Sequence, residues 1–127
     1  MRQGARWAVL IGICAAARAF SQEGFPLDGT WRGEWINADG MPETVVIVMR
    51  WDGEHVNGMI NPGRNAVRFS SGVLDPADWS VRIEATAPDS RRISIEGKLR
   101  DIGSYRRFIE GAWIVDGVVH GFKVVRE

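Results

Sequence analysis

The chain has 127 residues, of which 45% are hydrophobic and 25% charged, with 16 basic side chains against 16 acidic ones. That length builds one domain. The composition is that of a globular protein rather than a charged disordered chain, and the balanced charge argues against a nucleic-acid binder, which needs a basic excess.

The N-terminus differs from the rest. Arg2 and Arg6 precede an eleven-residue apolar run from Trp7 to Ala17, and Ala17-Arg18-Ala19 follows as a small-x-small site. These are the three parts of a secretory signal peptide over residues 1–19, and the run is short for a bilayer span. Lipidation of Cys14 is disfavoured, because Ile13 stands where a small residue is needed. Loss of Arg2, Arg6 and Arg18 leaves 108 residues with 13 basic and 16 acidic side chains, a net charge of −3. The only cysteine leaves too, so the mature chain has no disulfide and no thiol site. The expected location is secreted or periplasmic, with no integral membrane segment after signal removal. Residues 20–28 read as a flexible lead-in to a single domain over 29–127.

From residue 29 onward, turn signals recur. They are Asp39-Gly40, Asp52-Gly53, Asn61-Pro62-Gly63, Asp75-Pro76-Ala77-Asp78, Pro88-Asp89-Ser90, Asp101-Ile102-Gly103-Ser104 and Asp116-Gly117. Each holds residues that fix or tolerate turn geometry. They separate eight predicted strands, near 30–37, 44–51, 54–60, 65–74, 79–87, 91–100, 105–115 and 118–126. The spacing leaves no room for βαβ crossovers. Alternation supports the assignment: Trp79, Val81, Ile83 and Ala85 share one side, Ser80, Arg82, Glu84 and Thr86 the other.

Two hairpins can be registered from their turns. A two-residue type I′ turn at Asp116-Gly117 pairs Val115 with Val118, Trp113 with His120, Gly111 with Phe122 and Ile109 with Val124, and sets Glu110 beside Lys123 on the opposite face. The same logic at Asp52-Gly53 pairs Trp51 with Glu54, Arg50 with His55, Met49 with Val56 and Val48 with Asn57. One face of that hairpin is then apolar. The other mixes Val46, Val48 and Met59 with Arg50, His55 and Asn57, and reads as an ordinary mixed surface, as an outward interface, for which a homodimer is one expectation, or as a ligand lining.

Glycines fall inside predicted strands at Gly33, Gly58, Gly97, Gly111 and Gly121, and Ile95-Glu96-Gly97 recurs as Ile109-Glu110-Gly111. Mid-strand glycine marks bends and close approaches. Repeated bends suit a sheet that curls into an eight-stranded antiparallel up-and-down barrel and so removes its edges. A two-sheet β-sandwich is the rival.

Gly29-Thr30-Trp31 with Gly33 and Trp35, and the closing pair Ile109–Trp113 and Gly121–Val124, resemble the first and last strands of small exported lipocalin-like and avidin-like (calycin-type) barrels. The resemblance implies that Trp31 packs at a closed floor, with a structural rather than ligand-reading role, and that the open end is a cup for a small, often apolar molecule. The chain lacks the cysteine pair and the central Thr-Asp-Tyr motif of that group, so the resemblance names no ligand.

The candidate ligand-binding residues are Arg50, His55, Asn57, Asn61, Arg64, Tyr105, Trp113 and His120. His120 faces Trp113 on the last hairpin, Asn61 and Arg64 belong to a sharp polar loop of the kind that rims barrels, and Tyr105 is the only tyrosine. Gly33, Gly97 and Gly111 read as structural. Two histidines without close ligand spacing give no metal site, and no phosphate loop, nucleophile elbow or zinc-protease pattern implies a catalytic residue or a cofactor. The function expected is non-catalytic binding of a small apolar or amphipathic molecule. The alternatives are a cell-envelope structural or protein-interaction domain, and a small barrel enzyme of isomerase or hydratase type.

Overall fold

A computed structural model describes residues 26–53 and 55–127. The proposed leader, the first part of the lead-in and Glu54 lie outside the described residues. Eight strands follow in order: β1 (Gly29–Ile36), β2 (Pro42–Trp51), β3 (Val56–Ile60), β4 (Val67–Asp75), β5 (Ser80–Thr86), β6 (Arg92–Arg100), β7 (Phe108–Val115) and β8 (Val118–Arg126). Each pairs antiparallel with the next, and β1 pairs with β8 as well, so the sheet closes into an up-and-down barrel. Closure rules out the sandwich, whose two layers would leave β1 and β8 unpaired with each other.

The alternation becomes an inside and an outside. Inward residues make an apolar core that includes Trp31, Ile47, Ile60, Ile83, Ile95, Ile109 and Val124, and among the described residues no polar or charged residue is buried. Burying each such side chain is worth about 1.5–3 kcal/mol. The outer wall carries cross-strand ion pairs: Arg82 with Glu96 at 3.3 Å and Arg100 with Glu110 at 3.4 Å. A barrel that spans a bilayer has the reverse pattern, with an apolar band outside. Among the described residues, no helix is long and apolar enough to cross a membrane.

The register of the last hairpin is the expected one. Val115 pairs with Val118, Trp113 with His120, Gly111 with Phe122 and Ile109 with Val124. Asp116 and Gly117 both have positive φ, 49° and 85°, as a type I′ turn requires. The β2–β3 hairpin departs from expectation by two residues: Trp51 pairs with Val56, Arg50 with Asn57 and Val48 with Met59. Its loop has four residues, not two. Asp52 N–H donates to His55 O at 3.1 Å, and His55 N–H donates to Asp52 Oδ1 at 2.7 Å, which closes a wider turn. A shift of two keeps every residue on its expected face.

Two other departures have local causes. β7 begins at Phe108 rather than 105, because Ser104 N–H bonds Asp101 O and Arg106 N–H bonds Ser104 Oγ, which folds 101–106 into turns. In β4 the inward set changes phase: Val67 and Phe69 are buried, Ser70 and Ser71 are both exposed, and Gly72 and Leu74 are buried. This is a β-bulge, where the β3–β4 register slips.

One end of the barrel is sealed. Residues 26–28 are not a loose lead-in. Leu27 is fully buried, the Trp31 indole N–H donates to Leu27 O at 2.9 Å, and Trp51 N–H donates to Asp28 Oδ1 at 2.6 Å. Arg107 donates to Pro26 O and Ser104 O. Desolvation, with a smaller repulsion from Arg126, lowers the pKa of Arg107 below the usual arginine value. Trp31 thus packs at this floor, fully buried.

The glycine pair Gly97–Gly111 lies directly across β6 and β7. A Cβ on Gly111 would sit 2.1 Å from Glu96 O. The two backbones approach where no side chain fits, one of the uses of mid-strand glycine.

Candidate functional site

The end opposite the floor is open. There the ends of β1, β3, β5 and β7 and the starts of β2, β4, β6 and β8 surround a cavity of about 440 Å³. Its apolar part is formed by Trp35, Ile60, Val67, Ile93, Trp113 and Val115, and its rim carries Glu43, Asn61, Asn65, Asp89 and Arg91. This is the layout of a small-molecule pocket: an apolar interior with a few fixed polar groups, in a size range of about 300–1,000 Å³.

The aromatic side is a packed cluster. Trp35 stacks on Trp113 with ring centroids 5.4 Å apart and planes 18° apart. His120 meets Trp35 edge-on at 5.2 Å, and Phe122 lies 5.6 Å from Trp113. Trp113 is 4% exposed, whereas Trp35 is half-buried, so Trp35 offers the larger surface to an occupant.

The rim groups are held by local turn chemistry. Asn37 Oδ1 accepts from Asp39 N–H and Met41 N–H, and Asn37 Nδ2 donates to Glu43 Oε2 at 3.3 Å, which steadies that carboxylate at the mouth. Asn61 has positive φ, 51°. Its N–H donates to Val46 O at 2.7 Å and its Oδ1 accepts from Val46 N–H at 3.0 Å. Asp89 and Arg91 pair across their turn at 2.8 Å. The Arg91 backbone N–H and then its guanidinium hold Asp89 below the usual carboxylate range.

Of the residues singled out from sequence, the mouth gathers Trp113 and Asn61 in its lining and His120 beside Trp35. Arg64 is on the same loop as Asn61, exposed and outside the lining. Arg50 and Asn57 face each other across β2 and β3 on the outer wall, so they do not line the interior. His55 is exposed in the β2–β3 turn at the floor end. Tyr105 is also at the floor end, 71% exposed, with its hydroxyl donating to Glu127 O and Arg126 over its ring at 5.0 Å.

The sequence reading missed Trp35, Glu43, Asp89 and Arg91 as mouth residues, whereas Asn65 belongs to the polar rim loop it singled out with Asn61 and Arg64. Trp35 had a signal, since it shares parity with Trp31. Its neighbours come from the β1–β8 seam, which pairs Trp35 with Phe122, and no hairpin rule reveals that contact. Among the described residues, no group of three or more His, Cys, Asp or Glu is placed to hold a metal ion.

Comparison of the chain with protein families, with curated proteins and with solved structures found no match.

Proposed function

We infer that this chain is an exported, non-catalytic binding barrel whose mouth takes a small amphipathic molecule. The observation that carries this reading is the stacked Trp35–Trp113 pair opening onto a cavity of about 440 Å³ with a polar rim. An apolar body would cover Trp35, Ile60 and Ile93. A polar end would meet Asn65, Arg91 and the Glu43 carboxylate. The rim mixes donors and acceptors, and Asp89 and Arg91 already neutralise each other, so a neutral polar end suits it better than a strong ion. Export rests on the leader pattern of residues 1–19.

The isomerase or hydratase reading needs an acid–base pair within hydrogen-bond reach, and the Tyr105 partner it invoked is not beside a histidine. His120 is at the mouth, and Tyr105 and His55 are at the floor end.

Native mass spectrometry of the protein from its natural source tests the binding reading. The expected result is a retained small molecule that is lost in Trp35→Ala and kept in Arg50→Gln. A chain that is always bare, and whose mouth amides stay unmoved by amphipathic probes in NMR, would overturn it.

A further inference from the structure

Cations on β1, β5 and β6 meet carboxylates on the outer wall, although among the described residues Arg92 and Lys123 have none within 4.0 Å. Arg82 meets Glu84 and Glu96, Arg100 meets Glu110, Lys98 meets Asp78, and Arg32 meets Glu127. The β2–β3–β4 wall holds no ion pair among the described residues. Its cations are Arg50 and Arg68, and among the described residues neither has a carboxylate within 4.0 Å.

Between these two arginines runs a trough of about 550 Å³. Asn57 and Ser70 contribute polar groups, Val48, Met59 and Pro62 contribute apolar surface, and none of the lining residues is acidic. Val48 is 38% exposed although it lies in mid-strand. The registers fix the layout. Val48 pairs with Met59 and Met59 with Arg68, while Arg50 lies two residues along β2, opposite Asn57. Two strand spacings and a two-residue offset put the Arg50 and Arg68 Cα atoms about 12 Å apart. Two extended arginine side chains can close that distance on a single head group. The guanidinium fork matches carboxylate and phosphate oxygens, and the apolar strip beside it would take a hydrocarbon tail.

The geometry points to a second binding site, on the outer face of β2–β4, for a small amphipathic anion taken up as a free monomer. The head group lies between Arg50 and Arg68, with the Asn57 amide as a further donor, and the tail runs over Val48 and Met59. This site is separate from the mouth and does not depend on it.

The test is an amide NMR titration of the protein with octanoate and with octyl phosphate below micellar concentrations. Octylammonium and vesicles of anionic phospholipid are the controls. Shifts are expected at Val48, Asn57, Met59 and Arg68, with octylammonium leaving them in place and added salt weakening the response. Arg50→Gln with Arg68→Gln should reduce octanoate affinity by about tenfold or more. Both side chains are exposed, and an unchanged denaturation midpoint would show that the loss is not unfolding. The proposal is overturned if shifts are confined to Trp35, Asn61 and Trp113, if octylammonium binds equally well, if the double variant keeps its affinity, or if only vesicles bind.

Discussion

Trp35 of β1 stacks on Trp113 of β7 with β8 between their strands, so the contact crosses the seam where the barrel closes. The pair therefore reports on the fold and the mouth at once. Trp113, nearly fully buried, should cost about 3–5 kcal/mol when cut to alanine, read as a lower urea midpoint. Trp35 is half-buried and should cost less. Trp35→Ala should instead remove most of the affinity of the mouth for an aromatic or amphipathic probe in calorimetry. If Trp35→Ala binds such a probe as well as the parent chain does, the mouth is not the site.

The floor gives a second prediction. Leu27 fills the sealed end, and its carbonyl accepts the Trp31 indole N–H. Leu27→Ala should destabilise the barrel by about 2–5 kcal/mol. Trp31→Phe should lose the bond and leave a buried carbonyl short of a donor, a cost of about 1–3 kcal/mol beyond the change in packing. Chemical denaturation of both variants checks this. A Leu27→Ala barrel as stable as the parent would mean that residues 26–28 contribute nothing to the seal.

The two Asp-Gly turns show how far sequence reasoning reached. At Asp116-Gly117 both residues take positive φ, so the two-residue turn sets the whole last hairpin. At Asp52-Gly53 only the glycine does so, at 101°, and the Asp52 carboxylate instead captures the His55 N–H. A side-chain hydrogen bond of this kind competes with the backbone turn, and the dipeptide alone does not reveal which wins. Strand faces were legible because alternation is local. The mouth was only partly legible, because Trp35, Glu43 and Asp89 meet there through barrel closure.

The close approach at the glycine pair can be tested against an internal control. Gly111→Ala would place a methyl group 2.1 Å from Glu96 O, whereas a Cβ on Gly103 meets nothing within 4 Å. Gly111→Ala should destabilise by about 1–3 kcal/mol or more, and Gly103→Ala should stay within about 0.5 kcal/mol of the parent. Equal midpoints for the two variants would show that β6 and β7 are not in tight backbone contact at that point.

Asp78 gives the pH prediction. Its pKa is lowered from 3.8 to about 2, first by the hydroxyl of Ser80, then by Lys98 and the Ser80 backbone N–H. A folded-state pKa below the unfolded one means that the unfolded chain binds the proton more readily. The contribution of Asp78 to stability is therefore fully present above about pH 4 and declines as pH falls toward 2. Because the side chain is exposed, the expected signal is a titration rather than a large change in midpoint. The Asp78 carboxyl carbon should titrate near 2 in the parent chain. It should move back toward 3.8 in Ser80→Ala, with a smaller move in Lys98→Met. A parent value already near 3.8 would mean that the Ser80 and Lys98 contacts do not persist in solution.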